Sequence, residues 1–200
     1  MSEEPRVGQR RPGGRAARVR ASVLDATTAV LDEVGYDGLS IEEVASRAGV
    51  HKTTVYRRWP TKPELVGEAV QAQAEVDIPV PDTGSLREDL RLLARSIIAT
   101  NTSDAGSLRS RSLIAASTGS DELTRALHGF WAQRMAITGV IVERAIARGE
   151  VAEGVDPTLV IEAVAGPLWL RLLLTGEPLD DELADAVADL AAAGAQAIAP

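Results

Sequence analysis

Apolar side chains recur every three or four residues along most of the chain, the period of helices with one buried face. Val19, Val23, Thr27, Val30, Leu31 and Val34 mark a first helix from about Arg15, which Gly35 is expected to end. Ile41, Val44 and Ala45 share one face of a short second helix. Ser40 is placed to cap it, with Glu43 three residues on to complete a capping box, and Ala48-Gly49-Val50 supplies the turn after it. A third short helix, Lys52 to Trp59, puts Val55 and Trp59 four residues apart on its inner side. Thr61 and Glu64 form another capping box and start a helix running to about Val76. The periodicity breaks over residues 78–84, Ile-Pro-Val-Pro-Asp-Thr-Gly, so a domain boundary is expected there.

Beyond that break, Leu86, Leu90, Leu93, Ile97 and Ile98 predict a helix to about Thr100, followed by a loop over residues 101–107 and a short helix over 108–117. Asp121 or Glu122 begins a long helix, through Leu127, Trp131 and Ile141, that stops at Gly149. Two richly apolar helices close the chain, at about 156–175 and 180–197, with Pro167 expected to bend the first. The pattern is all-α. It predicts an arm over residues 1–14, a small N-terminal unit over 15–76 and a larger helical unit over 77–200.

Two short helices joined by a tight glycine turn, the second with a polar and basic outer face, are the pattern of a helix-turn-helix. Charge sharpens this reading. Between Glu43 and Glu64 there is no acidic residue, yet Arg47, Lys52, Arg57, Arg58 and Lys62 lie there, in a chain of formal net charge -8. The first 75 residues carry 11 Lys+Arg against 11 Asp+Glu, so the whole excess of acid belongs to the second part. An acidic body would repel DNA and turn a locally basic head toward it. Lys52, Thr53, Thr54 and Arg57 are then placed to reach base edges or phosphates, and Ser40 and Arg58 join them as candidate DNA-facing residues. His51 could cap the helix, contact a phosphate, or do neither. Arg6, Arg10 and Arg11 make the arm either a solubilising tail or a segment reaching phosphates or the minor groove.

Residues 50–65, VHKTTVYRRWPTKPEL, resemble the signature of the TetR (tetracycline-repressor) family of transcriptional regulators, and the likeness extends back through Val23 to Gly38. The remainder is similar to the family only in length and helical pattern. The resemblance implies a homodimer whose N-terminal helix-turn-helix domain binds a double-stranded operator. It also implies a larger C-terminal domain that binds a small-molecule effector and the sister subunit. Tyr56 and Lys62 match family positions that contact phosphates. Thr53 stands where many relatives have glycine and Trp59 where many have phenylalanine, so the operator is expected to differ from that of the glycine-bearing relatives.

The last two helices offer more apolar surface than one subunit obviously covers, and Leu168, Leu172, Leu183, Val187, Leu190 and Gly194 are the candidate dimer contacts. An effector cavity is expected beside the long central helix, with Leu108, Arg111, Phe130, Trp131, Arg134, Met135 and Trp169 as candidate lining. That composition favours a largely apolar ligand, with any acidic group facing Arg111 or Arg134. No phosphate-binding glycine loop or nucleophile motif occurs, and the two histidines, His51 and His128, have no metal-ligand spacing, so neither an enzyme nor a metal or cofactor site is expected. The absence of cysteine fits a reducing cytoplasm. The longest apolar run, residues 163–174, contains Arg171, so no membrane span is expected. The reading is a ligand-responsive transcriptional regulator, usually a repressor in this family. A helical protein-interaction adaptor using the same fold without DNA is the alternative.

Overall fold

The computed structural model describes residues 14–198. The arm expected over residues 1–14 therefore lies, but for Gly14, outside the described residues. Among the described residues every regular element is helical. The N-terminal head consists of α1 (Arg15–Gly38), α2 (Ile41–Arg47), α3 (Lys52–Arg58) and α4 (Lys62–Asp77). The body consists of α5 (Leu86–Thr102), α6 (Asp104–Ser117), α7 (Asp121–Ala147), α8 (Pro157–Leu170), a π-helical turn (Arg171–Thr175) and α9 (Asp181–Ala197).

The starts follow the local chemistry closely. The hydroxyls of Ser40, Thr61, Ser103 and Ser120 and the carboxylates of Asp156 and Asp180 each accept an N–H from the first turn of the helix they precede. Pro63 and Pro157 sit in first turns, where a missing N–H costs nothing. Pro167 lies inside α8, where it leaves the Ala163 carbonyl without its helical N–H; four residues later the helix widens into the π-turn, which Gly176 ends at φ 69°.

Two expectations fail for identifiable reasons. Gly35 does not end α1. It bends it at φ 69°, and one more turn follows because the Tyr36 N–H finds an acceptor in Ser112 Oγ of α6, at 3.1 Å. The loop expected over residues 101–107 is instead the close meeting of α5 and α6 around Ser103 alone. Ser103 Oγ accepts from the Gly106 N–H and donates to the Thr100 carbonyl. Gly106 belongs to this packing, since a Cβ there would fall 1.8 Å from the Thr100 carbonyl oxygen.

Two cores hold the chain. The body core joins Leu86, Leu90 and Leu93 of α5 to Ile141 of α7, Ile161, Val164 and Leu168 of α8, and Leu183 and Val187 of α9. The head core joins Val23, Leu31, Val44, Val55, Trp59 and Leu65, but it also takes in Leu113 of α6 and Leu123 and Leu127 of α7. The head is therefore not closed by its own four helices. At about 1.5–3 kcal/mol for each fully buried Leu, those three contributions weld it firmly to the body. Between α4 and α5, residues 78–85 are pinned by the buried Asp89, whose Oδ1 accepts both the N–H and the hydroxyl of Thr83 at 2.7 Å.

Candidate nucleic-acid interface and effector cavity

Helix α3 is only seven residues long and depends on its neighbours for stability. Val55 is fully buried beneath it. Trp59 closes its end with Nε1 donating to Glu68 Oε2 at 2.5 Å. With that side fixed, Lys52, Thr53, Tyr56, Arg57 and Arg58 stand exposed and Thr54 is half-buried. Ser40 is exposed at the start of α2, its hydroxyl engaged as the cap for the Glu43 N–H at 3.2 Å. His51 precedes α3 without a side-chain cap. Lys62 is half-buried, its Nζ 4.3 Å from the centre of the Tyr36 ring and 3.5 Å from the Asp37 carbonyl oxygen. Burial lowers its pKa, with the Asp37 carboxylate opposing.

The acid-free stretch of sequence is not acid-free in space. Arg47 forks onto both oxygens of Glu33 at 2.6 and 2.8 Å and reaches Glu43 with Nε at 2.7 Å, which holds its guanidinium charged. Lys52 meets Glu42 at 3.6 Å. Arg58 lies 3.7 Å from Glu68 and stacks over Trp59. Arg57 has no acidic partner among the described residues, and it faces the groove between α1 and α3 together with His51, Thr54, Arg15 and Arg20.

A cavity of about 100 Å³ lies where α4 of the head meets the body, walled by α4, α5, α6, α7 and α8. Phe130, Trp131, Arg134, Met135 and Trp169 line it. Trp131 meets Phe130 and Trp169 edge-on, with ring centres 5.0 and 5.1 Å apart. Leu108 and Arg111 do not line it. Leu108 is exposed and lies over Gly35, while Arg111 joins Trp169 and Leu170 on an outer groove. The α-helical rotation gives the inner face of α6 to Arg109, Ser110, Leu113 and Ile114 instead. Arg109 is 8% exposed and carries the ionic joint of the molecule. Its Nη1 donates to Asp32 of α1 at 2.5 Å, and its Nη2 lies 3.6 Å from Asp77 of α4. Sequence reading passed over it, although its spacing of four from Leu113 marks the same face.

The candidate dimer contacts divide. Leu168, Leu172, Leu183 and Val187 are buried within the subunit, because α8 and α9 close over α5 and α7. Leu190, 75% exposed, and Gly194 remain outside. The outward stripe is Leu159, Ala163, Gly166, Leu170 and Leu174 along α8 and the π-turn, beside Ala186, Leu190, Ala193 and Ala197 on α9. The apolar helix expected at about 156–175 forms over Pro157–Thr175, a longer apolar segment than the run 163–174 singled out from sequence. By length and composition alone, with mean hydropathy 1.5, it matches a membrane span, yet the inner face belongs to the body core.

Residues 23–69 match the model of the bacterial regulatory proteins of the tetR family, and residues 80–191 match the tetracyclin repressor-like C-terminal domain. The chain is 33% identical to the HTH-type transcriptional regulator AqdR of Rhodococcus erythropolis, over 92% of its own length and 87% of the relative's. It is 35% identical to the DNA-binding transcriptional repressor TetR of Mycobacteroides abscessus, over 80% and 85%. The crystal structure of the TetR family transcription regulator SCO0332 superposes with a TM-score of 0.79 at 31% identity, covering 92% of this chain and all of that one. An exposed polar face on a buried short helix, a cavity where the head meets the body and these likenesses lead to one conclusion: the chain belongs to the TetR family and is a DNA-binding transcriptional regulator.

Proposed function

We propose that the protein is a cytoplasmic one-component repressor, not a catalyst. It sits on a near-palindromic operator as a homodimer and is released by a small, largely apolar effector. The head, residues 15–76, places α3 in the major groove. Tyr56, Lys62 and Arg58 fix position on phosphates, and Ser40 does so from the start of α2. Lys52, Thr53, Thr54 and Arg57 reach base edges or neighbouring phosphates. The body, residues 77–200, pairs with its copy through the outward stripe of α8 and α9, forming a four-helix bundle in which Leu190 and Gly194 meet the partner. Leu168, Leu172, Leu183 and Val187 support that face from beneath.

One observation carries the ligand-responsive reading. Arg109 lines the cavity while tying α6 to α1 through Asp32 and to α4 through Asp77. A molecule that reshapes the cavity wall shifts the anchor of both long head helices at once. The distance between the two recognition helices changes, and the population moves away from the DNA-competent arrangement. Footprinting upstream of the protein's own gene and its neighbours tests the proposal. The expected result is a two-fold symmetric protected region with half-site centres about 34–36 Å apart or a multiple of that. Tyr56→Phe weakens binding on any sequence, whereas Thr54→Ala changes the preference among operators. Protection without symmetry, or equal losses from both variants on specific and random DNA, rejects it.

A further inference from the structure

The cavity holds one charged group whose charge the protein leaves unanswered. Its other polar side chains are satisfied internally. Asn101 donates to the Ile97 carbonyl and accepts from Ser110, both at 2.8 Å. Gln73 donates to Asp77 at 2.8 Å, and Arg109 has its two carboxylates. Arg134 differs. It is 4% exposed, and among the described residues its one acceptor is the Ile78 carbonyl oxygen, 3.0 Å from Nη2. The rest of its planar fork finds no acceptor, and no carboxylate among the described residues lies within ion-pairing distance. Burial alone pushes its pKa down, with only the more distant Glu75 opposing. Burying a guanidinium without a counter-charge is costly. A protein that keeps one at the wall of an otherwise apolar cavity has a binding site for the missing anion.

We infer that the effector is an amphipathic carboxylate, its carboxylate taken bidentately by Arg134 and its apolar body lying against Phe130, Trp131 and Trp169. The inference rests on the ligand-responsive reading and names the chemistry it requires. A guanidinium fork matches a carboxylate geometrically, and the pair strengthens where water is excluded. Arg109 cannot take this part, since Asp32 and Asp77 already neutralise it. A neutral ligand of the same shape would leave Arg134 unanswered. A cationic one would add repulsion.

The test uses full-length protein and three probes of one chain length: octanoate, 1-octanol and octylamine. Binding is followed by calorimetry and by the fluorescence of Trp131 and Trp169. Octanoate is expected to bind at least about 10-fold tighter than octanol, and octylamine not measurably, since each 1.4 kcal/mol is a factor of ten. Arg134→Met should bring octanoate down to the level of octanol while octanol binding persists, showing that the cavity remains folded. Arg134→Lys should keep part of the selectivity. Equal binding of octanoate and octanol, selectivity that survives in Arg134→Met, or no response to any probe overturns the inference. An operator mobility shift runs beside it. Loss of octanoate selectivity with an intact shift removes only the ligand class. Intact selectivity with no shift on any upstream DNA removes only the regulator mechanism.

Discussion

Leu190 and Val187 lie three residues apart on α9 and should fail in opposite ways when truncated. Leu190 is 75% exposed and Val187 3% exposed within the subunit. If the outward stripe pairs with its copy, Leu190 is buried only in the dimer, and a two-fold interface counts every substitution twice. Full burial of a Leu is worth about 1.5–3 kcal/mol, and the remaining Ala keeps part of it. Leu190→Ala therefore costs about 1.5 kcal/mol per subunit and about 3 kcal/mol per dimer, or roughly 100-fold in dimer Kd. Val187→Ala leaves a small cavity in the body core, lowers thermal stability by about 1–2 kcal/mol and leaves the dimer Kd within a few-fold. Sedimentation equilibrium from nanomolar to micromolar protein, with thermal melts at fixed concentration, reads both. A Leu190→Ala dimer as tight as wild type refutes the stripe as the interface. Dissociation produced by Val187→Ala but not by Leu190→Ala refutes the assignment of faces.

Gly106→Ala should destabilise the protein by about 3 kcal/mol or more, because α5 and α6 must separate to admit a Cβ 1.8 Å from the Thr100 carbonyl oxygen; a denaturant midpoint within error of wild type contradicts this. Glu150 accepts the Leu86 N–H at 2.8 Å, and that bond, with Arg148 assisting, lowers its pKa. Its contribution is thus present above the unfolded carboxylate value near 4.5 and is lost as pH falls through the lower folded value. Wild type and Glu150→Gln should therefore differ in thermal midpoint at pH 7 and converge toward pH 3. A constant difference across that range counts against it. Glu42→Gln releases Lys52 from its 3.6 Å ion pair and removes a negative charge beside α3. DNA affinity should rise a few-fold on any sequence, measured by fluorescence anisotropy, and steeper dependence on salt should accompany it. Unchanged affinity places Lys52 away from phosphate.

Where local chemistry decides, the chain announced its structure. The caps at Ser40 and Thr61 and the glycine turn of the helix-turn-helix came from residue types at fixed spacing, because each involves partners within one turn. The α5–α6 meeting did not. Asn101, Ser103 and Gly106 are common in loops for their hydrogen-bonding and conformational freedom. Here they serve a close helix contact, with Asn101 buried against Ser110 and Gly106 against Thr100. The Gly35 bend was hidden for the same reason, since its supporting acceptor Ser112 lies 76 positions from Tyr36.

The site was legible in residue type and misleading in charge. Counting acids along residues 44–63 treats neighbours in sequence as neighbours in space, yet Glu33 and Glu43 claim Arg47, Glu42 claims Lys52 and Glu68 claims Arg58. All four acids lie outside the counted window. Exposed ion pairs of this kind are worth at most about 1 kcal/mol, less than a charge-assisted bond to phosphate returns at about 1.5–3 kcal/mol. Lys52 and Arg58 can therefore leave these pairs for phosphate, but breaking each pair offsets part of what the new contact returns. Arg47 is different, held by three hydrogen bonds to two carboxylates, and its place is between α1 and α2. The cationic face therefore depends on Arg57, the one α3 cation without an acidic partner among the described residues. Arg57→Ala should cost more affinity than Arg58→Ala in the same anisotropy assay, and the reverse order would mean that the pairing seen on α3 does not persist on DNA.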